Sequence, residues 1–161
     1  MKKKLTKKLL FELLKDSKRS DRELAKVLRV SQPTITRRRN KLVEEGMIQE
    51  FTIIPDFMKM GYEIMAISCF KSKVHEELAE KAKNVTMSLP NIVFAARGQG
   101  MGKNAVVISL HKNYTDYSDF MSKIRLEGGD DLEDYDSFIV SFGDLVVKPL
   151  SLSYLAEQEE A

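Results

Sequence analysis

The sequence predicts an α+β protein made of two parts, a helical N-terminal part and a C-terminal part in which strands and helices alternate. Leucines recur at helical spacing from Leu5 to Leu14, and two more helical patterns follow before residue 46. Beyond residue 62, short apolar runs and two amphipathic stretches follow the order βαββαβ, the ferredoxin-like arrangement. A length of 161 residues with 43% hydrophobic content suits one domain or two small ones with packed cores.

Local signals place three helices in the N-terminal part. The first is predicted over roughly residues 5–15. Ser20 and Glu23 have the spacing of a capping box, which opens the second helix. Ser31 is suited to cap the third helix, whose first turn tolerates Pro33.

Gly46 is predicted to end the third helix in the left-handed conformation. Residues 47–54 then have an extended, partly apolar pattern that ends at Pro55. Helix, helix, tight turn, helix and an extended wing make up a winged helix-turn-helix domain, which we place at residues 1–54. Residues 55–61 are predicted to be a hinge linker.

Residues 62–161 are predicted to form the ferredoxin-like domain. Its predicted strands and helices lie at residues 62–70, 74–85, 92–96, 105–110, 117–124 and 137–142, with a further strand at 145–150. Four apolar strands and only two helices leave one sheet face uncovered within the chain. We therefore expect a second copy to cover it and form a homodimer.

Charge is distributed unevenly along the chain. Residues 1–50 hold 15 Lys and Arg against 7 Asp and Glu, whereas residues 51–161 hold 11 against 17. A basic N-terminal part followed by an acidic C-terminal part indicates a polyanion-binding module joined to another domain. No apolar run approaches the roughly 18 residues of a membrane span, and no export signal is recognised, so we expect a cytoplasmic protein with no membrane partner.

The third helix is the most informative segment. Its apolar stripe contains Ile35, Leu42 and Val43, and a basic, hydroxylated face lies opposite, as a major-groove helix requires. The candidate DNA-contacting residues of this helix are Gln32, Pro33, Thr34, Thr36, Arg37, Arg38 and Lys41. Around the second helix, the candidate phosphate contacts are Arg19, Arg22 and Lys26. A solvated basic helix is the alternative, which the helix-turn-helix spacing disfavours.

These segments resemble the Lrp/AsnC family of transcription regulators, also called feast/famine regulatory proteins. The matching segments are Arg22–Leu28, Ser31–Arg38, Leu42–Ile48 and Ile54–Gly61, followed by the βαββαβ half. The resemblance covers nearly the whole chain. It implies sequence-specific binding to double-stranded DNA, dimers built through the C-terminal sheet, often higher oligomers, and small-molecule effectors, typically amino acids.

The chain departs from the family pattern in two places. Arg39 stands where the family usually has an apolar residue, so it must reach solvent or pair with an acid. The family's effector turn commonly contains an acidic residue, which is missing here. The resemblance gives the candidate effector residues as Gly98, Gly100, Met101, Gly102, Lys103 and Asn104. This composition favours an anionic or neutral ligand, and a mobile turn that binds nothing is the alternative.

Other chemistry is poorly supported by the sequence. The glycine-rich turn is not followed by a helix, as a phosphate cradle would require. The spacings of Cys69, His75 and His111 match no zinc pattern, and the acids of residues 130–136 lack EF-hand spacing. No nucleophile motif is found, so we expect no cofactor, no metal and no enzyme. The same architecture also occurs in siroheme decarboxylases, and the helix-turn-helix could bind a protein; these are the two alternative functions.

Overall fold

The computed structural model describes residues 2–73, 76–143 and 146–157, which form two compact units. The first unit contains residues 2–54 together with residues 149–157. The second unit contains the described residues between 55 and 148.

The first unit contains the three predicted helices: α1 (Lys2–Lys15), α2 (Asp21–Leu28) and α3 (Gln32–Glu44). The capping box is confirmed, because the Ser20 hydroxyl accepts from the Glu23 N–H (3.3 Å) and the Ser20 N–H donates to the Glu23 carboxylate (2.7 Å). The Ser20 hydroxyl also donates to that carboxylate, and these hydrogen bonds lower the pKa of Glu23. Gly46 has φ +67°, the predicted left-handed helix end.

The core of this unit is small and aliphatic. Its fully or nearly fully buried side chains are Leu9, Leu13, Leu24, Ala25, Ile35 and Leu42. Ile35 and Leu42 anchor α3 to this core, because they lie on one stripe of the helix. Val43, predicted for the same stripe, lies in the last turn of α3 and is exposed, so the prediction was wrong for this residue.

One aspartate joins α2 to α3. Asp21 accepts a hydrogen bond from the Thr36 hydroxyl (2.6 Å) and forms an ion pair with Arg39 (3.0 Å). Arg39 also donates to the backbone carbonyl of Arg19 (2.9 Å). The expectation that Arg39 pairs with an acid is therefore confirmed. We call these contacts of Asp21 the Asp21 clamp.

The strand predicted for residues 47–54 does not form. These residues have no strand partner in the described chain, and Phe51, Ile53 and Ile54 are exposed. The prediction was wrong for a physical reason: an extended apolar pattern becomes a strand only when a neighbouring strand supplies hydrogen bonds.

The second unit has the predicted βαββαβ order, which is confirmed. Its elements are β1 (Ile64–Ser72), α4 (Glu76–Ser88), β2 (Ile92–Gly100), β3 (Lys103–His111), α5 (Tyr114–Gly128) and β4 (Leu132–Ser141). The four strands form one sheet in the order β2-β3-β1-β4, and every neighbouring pair is antiparallel. The short 3₁₀ turn Gly129–Asp131 leads into β4, so Glu133, Asp134 and Asp136, expected in a loop, lie on a strand.

The core of this unit lies on one face of the sheet. Ala66, Phe70 and Val107 of the sheet pack against Tyr117 and Phe120 of α5, and all five side chains are buried. Asn113 caps α5 by accepting from the Asp116 N–H (3.0 Å), as its position predicts.

Both ends of the second unit differ from the predicted boundaries. The predicted hinge clusters with the sheet, because Phe57 stacks on Phe142 with ring centroids 4.9 Å apart and the Tyr62 N–H donates to the Phe57 carbonyl. Of the predicted strand at residues 145–150, Leu145 lies outside the described residues and residues 146–150 are irregular.

The C-terminal segment belongs to the first unit. Its short helix α6 (Tyr154–Glu157) packs against α1, and Ala156 is only 1% exposed there. Within the described ranges, no helix has the length and apolar character needed to cross a membrane.

His111 is a buried titratable group at the end of β3. Its ring is 0% exposed, packs against Tyr117 and Phe120, and has Nε2 2.8 Å from the Ser109 hydroxyl. Desolvation lowers the pKa of His111, and the Asp116 carboxylate 3.8 Å from Nδ1 opposes that shift only in part. The ring is therefore neutral in the folded protein at neutral pH.

The Asp21 clamp predicts a measurable coupling between α2 and α3. In a double-mutant cycle of Asp21→Ala and Arg39→Met, we expect a coupling energy of about 1–2 kcal/mol in urea unfolding, because both side chains are about four-fifths buried. The exposed pair Lys41–Glu45 is the matched control and should couple by less than about 0.5 kcal/mol. Equal coupling in the two cycles would contradict the clamp.

The lowered pKa of His111 predicts loss of stability in mild acid. Because the unfolded chain takes up a proton near pH 6.5 and the folded chain does so only at lower pH, stability is complete above about pH 6.5 and falls below it. Urea midpoints at pH 7.5 and 5.5 measure this fall, which His111→Gln should reduce. An unchanged pH dependence in His111→Gln would show that other groups cause it.

Candidate nucleic-acid interface

The exposed face of α3 is a shallow groove with basic and polar walls. The residues that line it are Gln32, Pro33, Thr36, Arg37, Asn40, Lys41 and Glu44. Five of them were predicted DNA contacts, so the structure brings most of the predicted face together.

Arg37 has the most available charge on this face. Its side chain is exposed, and it forms no ion pair with any residue that the structure describes. Lys41 pairs with Glu45 at 3.3 Å, but both side chains are more than half exposed. Since exposed pairs of this kind contribute little, Lys41 can exchange Glu45 for a phosphate at small cost.

The hydroxyl residues of α3 hold the helix in place. The Thr34 hydroxyl is 2.8 Å from that of Ser31, just before the helix begins. Thr36 belongs to the Asp21 clamp and also donates to the Gln32 carbonyl (3.2 Å). Their hydroxyl groups are therefore engaged within the protein, although Thr36 remains exposed at the groove.

Two of the predicted basic contacts are tied to α1. Arg38 is half-buried and donates to the Thr6 hydroxyl (2.8 Å). Arg19 forms ion pairs with Glu12 (2.5 Å) and Asp16 (3.8 Å). By contrast, Arg22 and Lys26 on α2 are exposed, and neither has an ion pair among the described residues.

Asn40 is a groove residue that the sequence analysis missed. It lies one turn after Thr36 and Arg37 on the same side of α3. The helical spacing was the signal that could have found it. An exposed amide at this place is notable because Asn can pair with both major-groove atoms of adenine.

The predicted effector residues have two different environments. Gly98 and Gly100 lie near the end of β2, and Met101 and Gly102 form the two-residue turn to β3. Both turn residues have positive φ (+51° and +70°), as a type I′ hairpin requires. These four residues are exposed. A strand follows the turn, so the turn does not have the helix that a phosphate cradle needs.

Lys103 and Asn104 are engaged inside the unit. Lys103 is only 8% exposed, and its ammonium contacts Asp134 and lies 2.9 Å from Asp136. These carboxylates raise the pKa of Lys103, so it remains charged. Asn104 exchanges hydrogen bonds with the backbone of Ser72, accepting from its N–H (3.1 Å) and donating to its carbonyl (2.6 Å).

The described residues contain no group of three or more His, Cys, Asp or Glu side chains placed to hold a metal ion. His75, one of the three sequence candidates, lies outside the residues described. Cys69 is half-buried on β1 and His111 is enclosed by aromatic rings.

Comparison with known proteins agrees with this interface. Residues 2–49 match the winged helix-turn-helix DNA-binding family. An uncharacterised HTH-type transcriptional regulator of Pyrococcus horikoshii, PH0061, is 32% identical over 123 residues, which is 75% of this chain and 82% of that protein. LrpC of Bacillus subtilis, an HTH-type transcriptional regulator, is 34% identical over 93 residues, 57% of this chain and 62% of its own.

Solved structures extend the similarity through both units. The crystal structure of PH0061 has a TM-score of 0.78 at 27% identity and covers 91% of this chain and 95% of that one. The structure of LrpC has a TM-score of 0.73 at 25% identity, covering 89% and 96%. The chain has a helix-turn-helix whose exposed helix face is basic, a βαββαβ unit that follows it in the sequence, and relatives that match both. It belongs to the Lrp/AsnC family of DNA-binding transcription regulators.

Proposed function

We propose that this regulator recognises its operator through the groove face of α3, with Arg37 and Asn40 reading base edges. The single observation that carries this proposal is the exposed guanidinium of Arg37, which has no ion pair among the described residues and lies at the middle of a helix face held by the Asp21 clamp. A guanidinium can bond guanine O6 and N7 together, and an amide can bond adenine N6 and N7.

The other basic residues divide into two groups in this proposal. Arg22, Lys26 and Lys41 are exposed and contact phosphates, which fixes the register of α3 on the duplex. Arg19 and Arg38 were predicted as DNA contacts, but their guanidiniums are bound to α1 residues. We assign them the role of positioning the helices, together with Thr36.

Dimerisation through the sheet is the second part of the proposal. Phe94, Ile108, Ile67 and Phe138 are register partners across all four strands, so they form one apolar row. Ile67 lies next to Ala66 of the core, so this row is on the opposite sheet face. Phe94 and Phe138 are 51% and 71% exposed. A second copy related by a two-fold axis would cover the row and present two α3 helices to two half-sites.

An effector site near the β2–β3 turn is the third part of the proposal. The exposed backbone of Gly98, Gly100 and Gly102 permits close approach of an oxygen-bearing ligand. Lys103 and Asn104 shape this turn from inside, since their polar groups are engaged. A related fold, a Neisseria meningitidis regulator with TM-score 0.77 and 16% identity, was solved as a complex with L-Met. We propose small-molecule regulation here, with higher oligomers built on the dimer.

The relatives are named transcriptional regulators, so we propose that the chain acts by binding and not by catalysis. Because the matched relatives come from organisms without a nucleus, we also propose that the chain meets duplex DNA in the cytoplasm.

Arg37→Ala should lower sequence discrimination. Loss of a bidentate guanine contact should cost about 1–3 kcal/mol on the selected operator and much less on random duplex. Competition binding against DNA fragments selected by the purified protein measures this. Arg125→Ala, an exposed arginine of α5, is the matched control and should leave both affinities unchanged. Equal losses on operator and random duplex would remove Arg37 from base reading.

Arg22→Ala should weaken binding to all duplexes alike. Because a phosphate contact releases about one counterion, the slope of log affinity against log salt should become less steep by about 1. A slope unchanged from that of the parent protein would contradict the phosphate role. A binding constant that is independent of salt in the parent would favour a protein-binding module instead.

Phe138→Asp should weaken the dimer. A charge at the β4 end of the apolar row should raise the dimer dissociation constant at least about 30-fold, the equivalent of about 2 kcal/mol. Sedimentation equilibrium of the full chain measures this, with Val147→Asp as the exposed apolar control. A dimer as tight in Phe138→Asp as in the control would place the interface elsewhere.

A further inference from the structure

The second unit contains a cavity of about 810 Å³ that the DNA-binding function does not use. It lies between α4, α5 and the helix-covered face of the sheet. Its apolar walls include the side chains Phe70, Val85, Leu89, Ile92, Val107 and Ile124. This volume is within the range of pockets that enclose a small organic molecule.

The cavity exists because α4 packs loosely on the sheet. None of the α4 side chains from Ala79 to Ser88 is buried, whereas Tyr117, Phe120 and Met121 of α5 are. The α4 residues that line the cavity include Ala79 and Ala82, which are too small to fill the space. The gap between α4 and β2 is visible at Ala95. This residue is the register partner of buried Val107 on the helix-covered face of the sheet, yet it is exposed.

The polar groups on the cavity are unevenly charged. Arg97 is the register partner of Ala105, whose side chain packs on the core, so Arg97 lies on the cavity face of β2. Arg97, Lys73 and Lys81 line the cavity and have no ion pair within the described chain. Two acids, Glu127 and Asp131, also line it. Cations therefore exceed acids around an otherwise apolar space.

We propose that this cavity is a binding site for a small apolar monocarboxylate, whose hydrocarbon part lies under α4 and whose carboxylate meets Arg97. Each methylene removed from water in such a site contributes about 0.8 kcal/mol. The guanidinium can donate hydrogen bonds to both carboxylate oxygens. An alcohol of the same chain length has only one oxygen and no charge, so it cannot form this pair of hydrogen bonds. Gly98 and Asn104 of the turn proposed for the effector lie at the edge of this cavity, whereas the α3 groove belongs to the other unit.

Calorimetric titration of the full-length protein with octanoate, octanol and octylamine tests the proposal, since the three probes share a chain and differ in head group. We expect octanoate to bind about tenfold more tightly than octanol, the equivalent of one charged hydrogen-bonded contact, and octylamine most weakly. No binding of any probe would overturn the site. Tighter binding of octylamine than of octanoate would overturn the assigned ligand class.

Matched variants locate the binding. Arg97→Gln should reduce the affinity for octanoate to within about twofold of the affinity for octanol. Lys112→Gln changes an exposed lysine outside the cavity and should change neither affinity. Ala82→Phe should fill the cavity and weaken the binding of both octanoate and octanol at least tenfold. Asn84→Phe puts the same side chain on α4 at a position that does not line the cavity and should have no effect.

Equal effects of the two phenylalanine variants would place the ligand elsewhere and overturn the proposal. Circular dichroism checks that Ala82→Phe is folded, and Ala79→Leu is a second filling variant if it is not. All titrations use the protein without DNA, so a negative result here leaves the DNA-binding function untouched.

Discussion

The Asp21 clamp is the constraint on which the DNA-binding surface depends. Thr36 and Arg39 are three positions apart and so lie on one side of α3, where a single carboxylate at the start of α2 holds both. That contact fixes the rotation of α3 about its axis, since Ile35 and Leu42 alone form only a narrow apolar stripe. Arg37, Asn40 and Lys41 then project outward because the other side of the helix is fixed.

The clamp also explains an arginine that would otherwise be costly. Arg39 is about three-quarters buried, and a charge in that position without a partner would be strongly destabilising. Here it has the Asp21 carboxylate as an ion-pair partner and the Arg19 carbonyl as a hydrogen-bond acceptor, so it links α3 to the start of α2. Arg38 and Arg19 add similar links to α1. Part of the basic charge in residues 1–50 thus holds the helices in place, and the exposed remainder, which includes Arg22, Lys26 and Arg37, is available for DNA.

The two faces of the sheet differ for a reason visible in its helices. α5 contributes large buried side chains and closes part of one face, whereas the α4 residues on the cavity include the small Ala79 and Ala82. The opposite face has the apolar row of Phe94, Ile108, Ile67 and Phe138, of which Phe94 and Phe138 are exposed. One domain thereby offers two apolar surfaces of different shape. The open, continuous row suits a flat symmetric partner, and the cavity under α4 suits a small molecule.

Local sequence patterns predicted the parts of the fold that depend on local interactions. The capping box at Ser20, the end of α3 at Gly46 and the βαββαβ order are all confirmed. The failures involve partners far apart in the chain. Residues 47–54 needed a neighbouring strand, and Lys103 finds its two aspartates some 30 residues later, across β1. The packing of α6 on α1 joins the two chain ends and leaves no periodic signal. Asn40 has the helical spacing of the α3 groove but no charge, so the charge pattern alone does not identify it.

In the proposed complex, two copies of α3 enter the major groove of duplex DNA at two half-sites. Methylation interference on selected operator fragments measures this, because methyl groups at guanine N7 block the major groove and those at adenine N3 block the minor groove. Guanine N7 methylation should interfere in two clusters separated by about one helical turn, 10–10.5 base pairs, or a multiple of it. Interference confined to adenine N3, or a single cluster without a symmetric partner, would contradict this arrangement.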